Sequence, residues 1–109
     1  MAASDSEELT PRERIWQVIN AIPAGQVCTY GKVAQLAGLG LAARMVGRTL
    51  RELPAGSKLP WHRVINAQGR ISLPVGSAGH EKQRSRLEAE GIEFSVKGKI
   101  SLSKYGSWH

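Results

Sequence analysis

The sequence predicts a mainly α-helical domain with small β-hairpins, organised around a helix–turn–helix. Three observations carry this. Residues 11–22, 30–37 and 41–52 place apolar side chains at helical spacing. Gly38-Leu39-Gly40 puts a glycine-containing turn between the second and third of these segments, the outline of a helix–turn–helix. Turn-forming residues at 66–69 and 97–98 separate short apolar runs, as hairpins require. At 109 residues, with 41% hydrophobic and 22% charged residues, the chain is one globular domain with a modest core. That length excludes a nucleotide-binding domain joined to a separate catalytic one.

Each element has a local cause. Residues 1–9, MAASDSEEL, are acidic and polar and are expected to form a flexible leader, not a secretory signal. Thr10 caps the first helix, Pro11 suits its first position, and Glu13 completes a capping box. Ile15, Trp16, Ile19 and Ile22 share the face expected in the core, and Pro23-Ala24-Gly25 ends the helix. Thr29 caps a second helix carrying Lys32, Val33, Leu36 and Ala37. The third is expected to turn Leu41, Met45, Thr49 and Leu50 inward. Its Arg44, Arg48 and Arg51, spaced four and three apart, share another face, with Ala42, Ala43 and Gly47 on or beside it. Small residues there let a helix backbone approach a ligand closely.

After the loop at 54–58, Pro60 is expected to hold Trp61-His62-Arg63 extended. Val64-Ile65 and Ile71 are expected to pair as a hairpin about Asn66-Ala67-Gln68-Gly69. Residues 73–79, LPVGSAG, read as a mobile loop; it lacks the Gly-Lys-Ser/Thr ending of a phosphate loop. Residues 80–90 form a charged helix stopped by Gly91, and 92–96 can pair with 99–102. In the tail, residues 104–109, Tyr105 and Trp108 either pack back on the body or lie free.

The net charge is +6, unevenly spread: residues 1–13 balance to −3 and residues 14–109 to +9. A small basic body points to a polyanionic partner, and charge alone does not distinguish DNA, RNA, a ribosome or a membrane surface. The three-arginine helix face favours phosphate or groove contact. A single cysteine, Cys28, excludes an internal disulfide and reads as a small buried residue. With His62, His80 and His109 dispersed, no metal set is evident. No apolar run approaches the ~18 residues of a membrane span, so no membrane partner is expected. With no secretory signal and no disulfide the chain reads as cytoplasmic, and a monomer is expected.

The most unusual run is Pro60-Trp61-His62-Arg63-Val64. It resembles the Pro-Cys-His-Arg-Val motif of O6-alkylguanine-DNA alkyltransferases, which flip a damaged guanine and accept its alkyl group on that cysteine. Here tryptophan stands at the cysteine position, as in the alkyltransferase-like proteins, which bind the lesion without repairing it. Ile22-Pro23-Ala24-Gly25-Gln26-Val27, Thr29-Tyr30-Gly31-Lys32-Val33-Ala34 and Ala43-Arg44-Met45-Val46-Gly47 extend the resemblance, in order and spacing, over residues 10–103. It implies a winged helix–turn–helix-like DNA-binding domain of the alkyltransferase C-terminal type.

The resemblance further implies a non-enzymatic sensor of O6-alkylguanine in double-stranded DNA. It would bind the minor groove, flip the damaged nucleotide and flag it for nucleotide excision repair proteins, with no cofactor, metal or catalytic residue. An indole is a very poor nucleophile at neutral pH, which independently argues against alkyl transfer by Trp61. Tyr30 is assigned to the rotating phosphate and the edge of the flipped base, and Arg44 to the finger that fills the vacated stack. With Gly31, Lys32, Ala42, Ala43, Gly47, Arg48 and Arg51 they make the DNA-binding set. Tyr30, Trp61, Val64, Arg70, Val75 and Gly76 make the lesion pocket. In it the carbonyls of Trp61 and Val64 would accept from the guanine amino group, and Arg70, close to the loop, would either sense base electronics by a cation–π contact or lie exposed to solvent. The family's activating relay of Asn, Cys, His and Glu survives only as His62 and Glu90, expected to form a structural pair; its Asn position falls on Leu53.

Overall fold

A computed structural model describes residues 8–108. The chain runs α1 (Pro11–Ala21), β1 (Cys28–Thr29), α2 (Tyr30–Leu36), α3 (Ala43–Arg51), a 3-10 turn (Trp61–Arg63), β2 (Val64–Ile65), α4 (Ala78–Ala89) and α5 (Leu102–Tyr105). Of the leader expected at 1–9, residues 1–7 lie outside the described residues, and Glu8 and Leu9 belong to no helix or strand.

The capping box forms as its sequence dictates. Thr10 Oγ1 accepts from the Glu13 amide at 3.1 Å, and Glu13 Oε1 accepts from the Thr10 amide at 2.9 Å. Ile15, Ile19 and Ile22 are buried. Trp16 corrects the reading: it is half-buried, outside the core clusters, with Arg12 6.0 Å over its ring. Thr29 caps α2 through the Lys32 amide. The turn to α3 uses Gly38 and Gly40 at positive φ, which L side chains rarely adopt, and α2 and α3 pack as the helix–turn–helix. Leu41 faces solvent, fully exposed, because α3 begins only at Ala43. Thr49 is buried as expected, Met45 and Leu50 pack partly buried against the core, and Val46 takes the remaining buried position.

The strand pairing differs from expectation. Val64–Ile65 pairs in parallel with Cys28–Thr29, in register Cys28 to Val64 and Thr29 to Ile65, and not with Ile71. The turn at 66–69 does form: Asn66 Oδ1 accepts from the Gln68 and Arg70 amides at 3.0 and 2.9 Å. Ile71, however, packs as a buried core residue without a ladder. Side-chain alternation along the strand segments divides the interior. Cys28 and Val64 join α1, α2 and α3 in one cluster, while Val27 and Ile65 join Ile71, Leu87, Ile92, Ile100 and Tyr105 in another.

The second turn pairs through one antiparallel bridge, Phe94 to Ile100. Gly69 touches this segment: its carbonyl accepts from the Ile100 amide at 2.7 Å, and a Cβ on it would lie 2.6 Å from the Ile100 carbonyl oxygen. The tail packs back. Tyr105 is buried in the second cluster and accepts the Val27 amide at its carbonyl, and Trp108 packs against the first. No helix among the described residues is long and apolar enough to cross a membrane.

Candidate nucleic-acid interface

A cleft of about 820 Å³ opens between the helix–turn–helix and the segments after it. This lies within the range of small-molecule binding sites, roughly 300–1,000 Å³. Tyr30 enters it from the first position of α2; Ala43, Arg44, Gly47 and Arg51 enter from α3. The cap at Thr29 and the glycine turn fix where these two helices begin, and so place Tyr30 and Arg44 at one mouth. Trp61 and Val64 supply the wall, and Leu53 lines it as well.

The remaining candidates fall elsewhere. Gly31, Lys32, Ala42 and Arg48 lie on the same helix–turn–helix but do not line the cleft. Arg70 is a correction: its guanidinium donates to the Lys97 carbonyl and does not reach the cleft. Val75 and Gly76 are corrections too. Both are exposed and outside it, because Ser77 caps α4 two residues earlier than expected and turns the loop tip outward. Of that loop only Leu73 reaches the cleft, together with Ser72 just before it.

The wall is held by a hydrogen-bonded scaffold. Proline entry does not extend Trp61–Arg63; these residues form a single 3-10 turn, closed by the Val64 amide donating to the Trp61 carbonyl. His62 is buried and its Nε2 lies 2.8 Å from Glu90 Oε2, the pair expected from the relay. Arg63 joins it: Nη2 donates to Oε2 at 2.7 Å, Nε to Oε1 at 3.0 Å, and Nη1 to the Ile22 carbonyl at 2.7 Å. The Gly25 amide adds a fourth donor to Glu90. Burial raises the Glu90 pKa, but these bonds outweigh it and bring it down to about 2.

Gln83 was not legible as a site residue. Buried on α4, it donates from Nε2 to the carbonyls of His62 and Val64 at 3.1 and 3.0 Å, pinning the turn that carries Trp61. The only signal was an inward stripe in a charged helix, His80, Gln83 and Leu87. The carbonyls of Trp61 and Val64 thus each already accept one bond, with a second lone pair left over.

Charge follows the cleft. Arg44, Arg51, Lys82 and Arg86 line it, and no Asp or Glu among the described residues does. Glu52, the acid beside α3, is turned to Arg12 at 3.7 Å. The one thiol, Cys28, is buried in the core, and burial pushes its pKa up to about 11. It stays protonated at neutral pH, and the thiolate is the nucleophile.

A helix–turn–helix with a basic recognition helix, opening onto a cleft with an aromatic wall, is a nucleic-acid-binding domain. Residues 10–92 match the family described as 6-O-methylguanine DNA methyltransferase, DNA binding domain. The chain belongs to that family. It is 55% identical over 92 residues to a DNA base-flipping protein of Vibrio parahaemolyticus, covering 84% of this chain and 90% of that protein. It is 42% identical to alkyltransferase-like protein 1 of Schizosaccharomyces pombe, covering 84% of this chain and 82% of that one. The structure of S. pombe Atl1 in complex with damaged DNA containing O6-carboxymethylguanine superposes with a TM-score of 0.77. That match covers 87% of this chain and 92% of Atl1 at 37% identity.

Proposed function

We propose that this chain is a non-enzymatic sensor of O6-alkylguanine in double-stranded DNA. It binds in the minor groove through α3, rotates the damaged nucleotide into the cleft beside Trp61, and holds the complex as a flag for nucleotide excision repair proteins. The carrying observation is the cleft itself: an aromatic wall, Trp61, joined to a basic helix face, with no cysteine lining it among the described residues. The base-flipping and damaged-DNA relatives support the same reading. Extruding a base costs a few kcal/mol, less when its pairing is already weakened, and stacking on an aromatic wall returns roughly 1–3 kcal/mol. O6-alkylation weakens the guanine–cytosine pair, so damage lowers the cost and selects the target.

Arg44 takes the place of the departed base, its planar guanidinium stacking on neighbours and donating to the orphaned partner. Tyr30, adjoining it at the cleft mouth, meets the rotated phosphate. Trp61 occupies the position of the alkyl-accepting cysteine, so the base is read and not repaired.

Band shifts with one duplex carrying either guanine or O6-methylguanine test this. Tighter binding of the alkylated duplex, with no label passing to protein from labelled O6-methylguanine, is expected. Equal affinities would make the protein a reader of undamaged DNA, and labelled protein would make it a transferase; either sinks the proposal.

A further inference from the structure

We propose that Lys82 and Arg86 make the cleft selective for O6-alkyl groups that carry negative charge. The inference rests on the reading that a flipped alkylguanine occupies this cleft, and it assigns a role to α4 that the reading does not use.

Lys82 and Arg86 are four residues apart, so they share a face of α4, and both line the cleft. Gln83, beside them, is buried and bonded to the carbonyls of His62 and Val64, so this stretch of α4 is fixed against the turn bearing Trp61. The Arg86 guanidinium carbon lies 5.7 Å from the centre of the Trp61 ring. A group projecting between Trp61 and α4 therefore meets cations on a fixed helix.

These cations have no acid to answer. Arg84, between them on α4 but outside the cleft, is paired with Glu88 at 3.3 Å. Among the described residues neither Lys82 nor Arg86 forms an ion pair. The charges facing the cleft from every lining element are Arg44 and Arg51 on α3 and Lys82 and Arg86 on α4, without one carboxylate. Arg44 and Arg51 sit on the helix offered to DNA, where Arg44 is taken up by the vacated stack and the surrounding phosphates screen both. Lys82 and Arg86 lie on the element that walls the cleft beside Trp61.

A carboxylate on the alkyl group gains charge-assisted bonds to these donors, and a neutral amide of the same shape does not. For solvated contacts of this kind the preference is roughly two- to fivefold. It shrinks as salt rises, since both cations are open to solvent.

The test compares one duplex bearing guanine, O6-methylguanine, O6-carboxymethylguanine or O6-carbamoylmethylguanine, by fluorescence anisotropy with the whole chain. The carboxymethyl duplex is expected to bind roughly two- to fivefold tighter than the carbamoylmethyl one. A double variant, Lys82→Gln with Arg86→Gln, is expected to bring that ratio to about one while still preferring O6-methylguanine over guanine. Equal wild-type affinities for the charged and neutral adducts, or a preference that persists in the variant, would overturn the inference. Failure of the wild type to prefer O6-methylguanine over guanine is a separate result, and it overturns the underlying reading of the cleft.

Discussion

Arg63 grips Glu90 with two nitrogens, Nη2 at 2.7 Å from Oε2 and Nε at 3.0 Å from Oε1, while its Nη1 holds the Ile22 carbonyl at 2.7 Å. This fork joins the end of α1, the turn bearing Trp61 and the end of α4. A bidentate charge-assisted pair is among the stronger polar contacts a fold can make. A carboxylate that would serve an activating relay is here saturated by structural donors.

That pairing makes stability depend on acid. Glu90 titrates near 2 in the fold against an ordinary 4.5, so its charged form is favoured by folding. The stabilisation is complete above pH 4.5 and is lost as pH falls from there toward 2. Glu90→Gln is expected to lower stability by on the order of 2–3 kcal/mol at neutral pH, because Arg63 and His62 lose their charged partner. Urea midpoints at pH 7 and pH 3 check this: the gap between wild type and variant narrows at the lower pH.

Gly69 has a positive φ of 80° and no room for a Cβ against the Ile100 carbonyl. Gly69→Ala therefore strains the backbone and breaks the bond to Ile100, with an expected loss of roughly 1–3 kcal/mol in urea unfolding. Gly98→Ala, also at positive φ but with open space around it, tests the difference: it is expected to cost less.

The DNA face separates affinity from stability. Arg44 is exposed, and Arg44→Ala is expected to weaken lesion binding by roughly 1–3 kcal/mol without moving the unfolding midpoint. A Cβ at Gly47 meets only the Arg51 guanidinium at an ordinary 3.5 Å, so Gly47→Ala is expected to raise helix stability by roughly 0.5–1 kcal/mol. The same methyl stands in the cleft and lowers DNA affinity. Thermal melts and anisotropy on each variant resolve the two effects.

Trp61→Cys is expected not to transfer an alkyl group. Leu53 offers nothing polar where the relay has Asn, and His62 shares the Glu90 carboxylate with Arg63 and the Gly25 amide. Labelled O6-methylguanine duplex incubated with this variant checks the point, and labelled protein would show that the missing Asn does not limit activation.

Local signals were legible because their causes lie within a few residues. Thr10 and Thr29 act on amides three positions away, and the arginines of α3 share a face by helical geometry alone. The Trp61 motif placed His62 and Glu90 together through resemblance, and the structure bonds them. What escaped is non-local. The parallel pairing of Cys28–Thr29 with Val64–Ile65 leaves no local pattern, and two-residue strands are too short to show alternation. Arg63 and Gln83 act across the chain, on Glu90 and on the His62 and Val64 carbonyls. Arg70, Val75 and Gly76 missed the cleft because the turn at Asn66 and the cap at Ser77 aim them away, details set by hydrogen bonds and not by order in the sequence.

The central claim is that a damaged base leaves the stack and enters the cleft beside Trp61. The most direct measurement places 2-aminopurine next to O6-methylguanine in a duplex and follows its fluorescence as protein is added. Loss of a stacked neighbour is expected to raise the signal with wild type, much less with Arg44→Ala at saturating protein, and not at all when guanine replaces the lesion. An unchanged signal on a duplex that is demonstrably bound would contradict the account, because the lesion would then be held without being flipped.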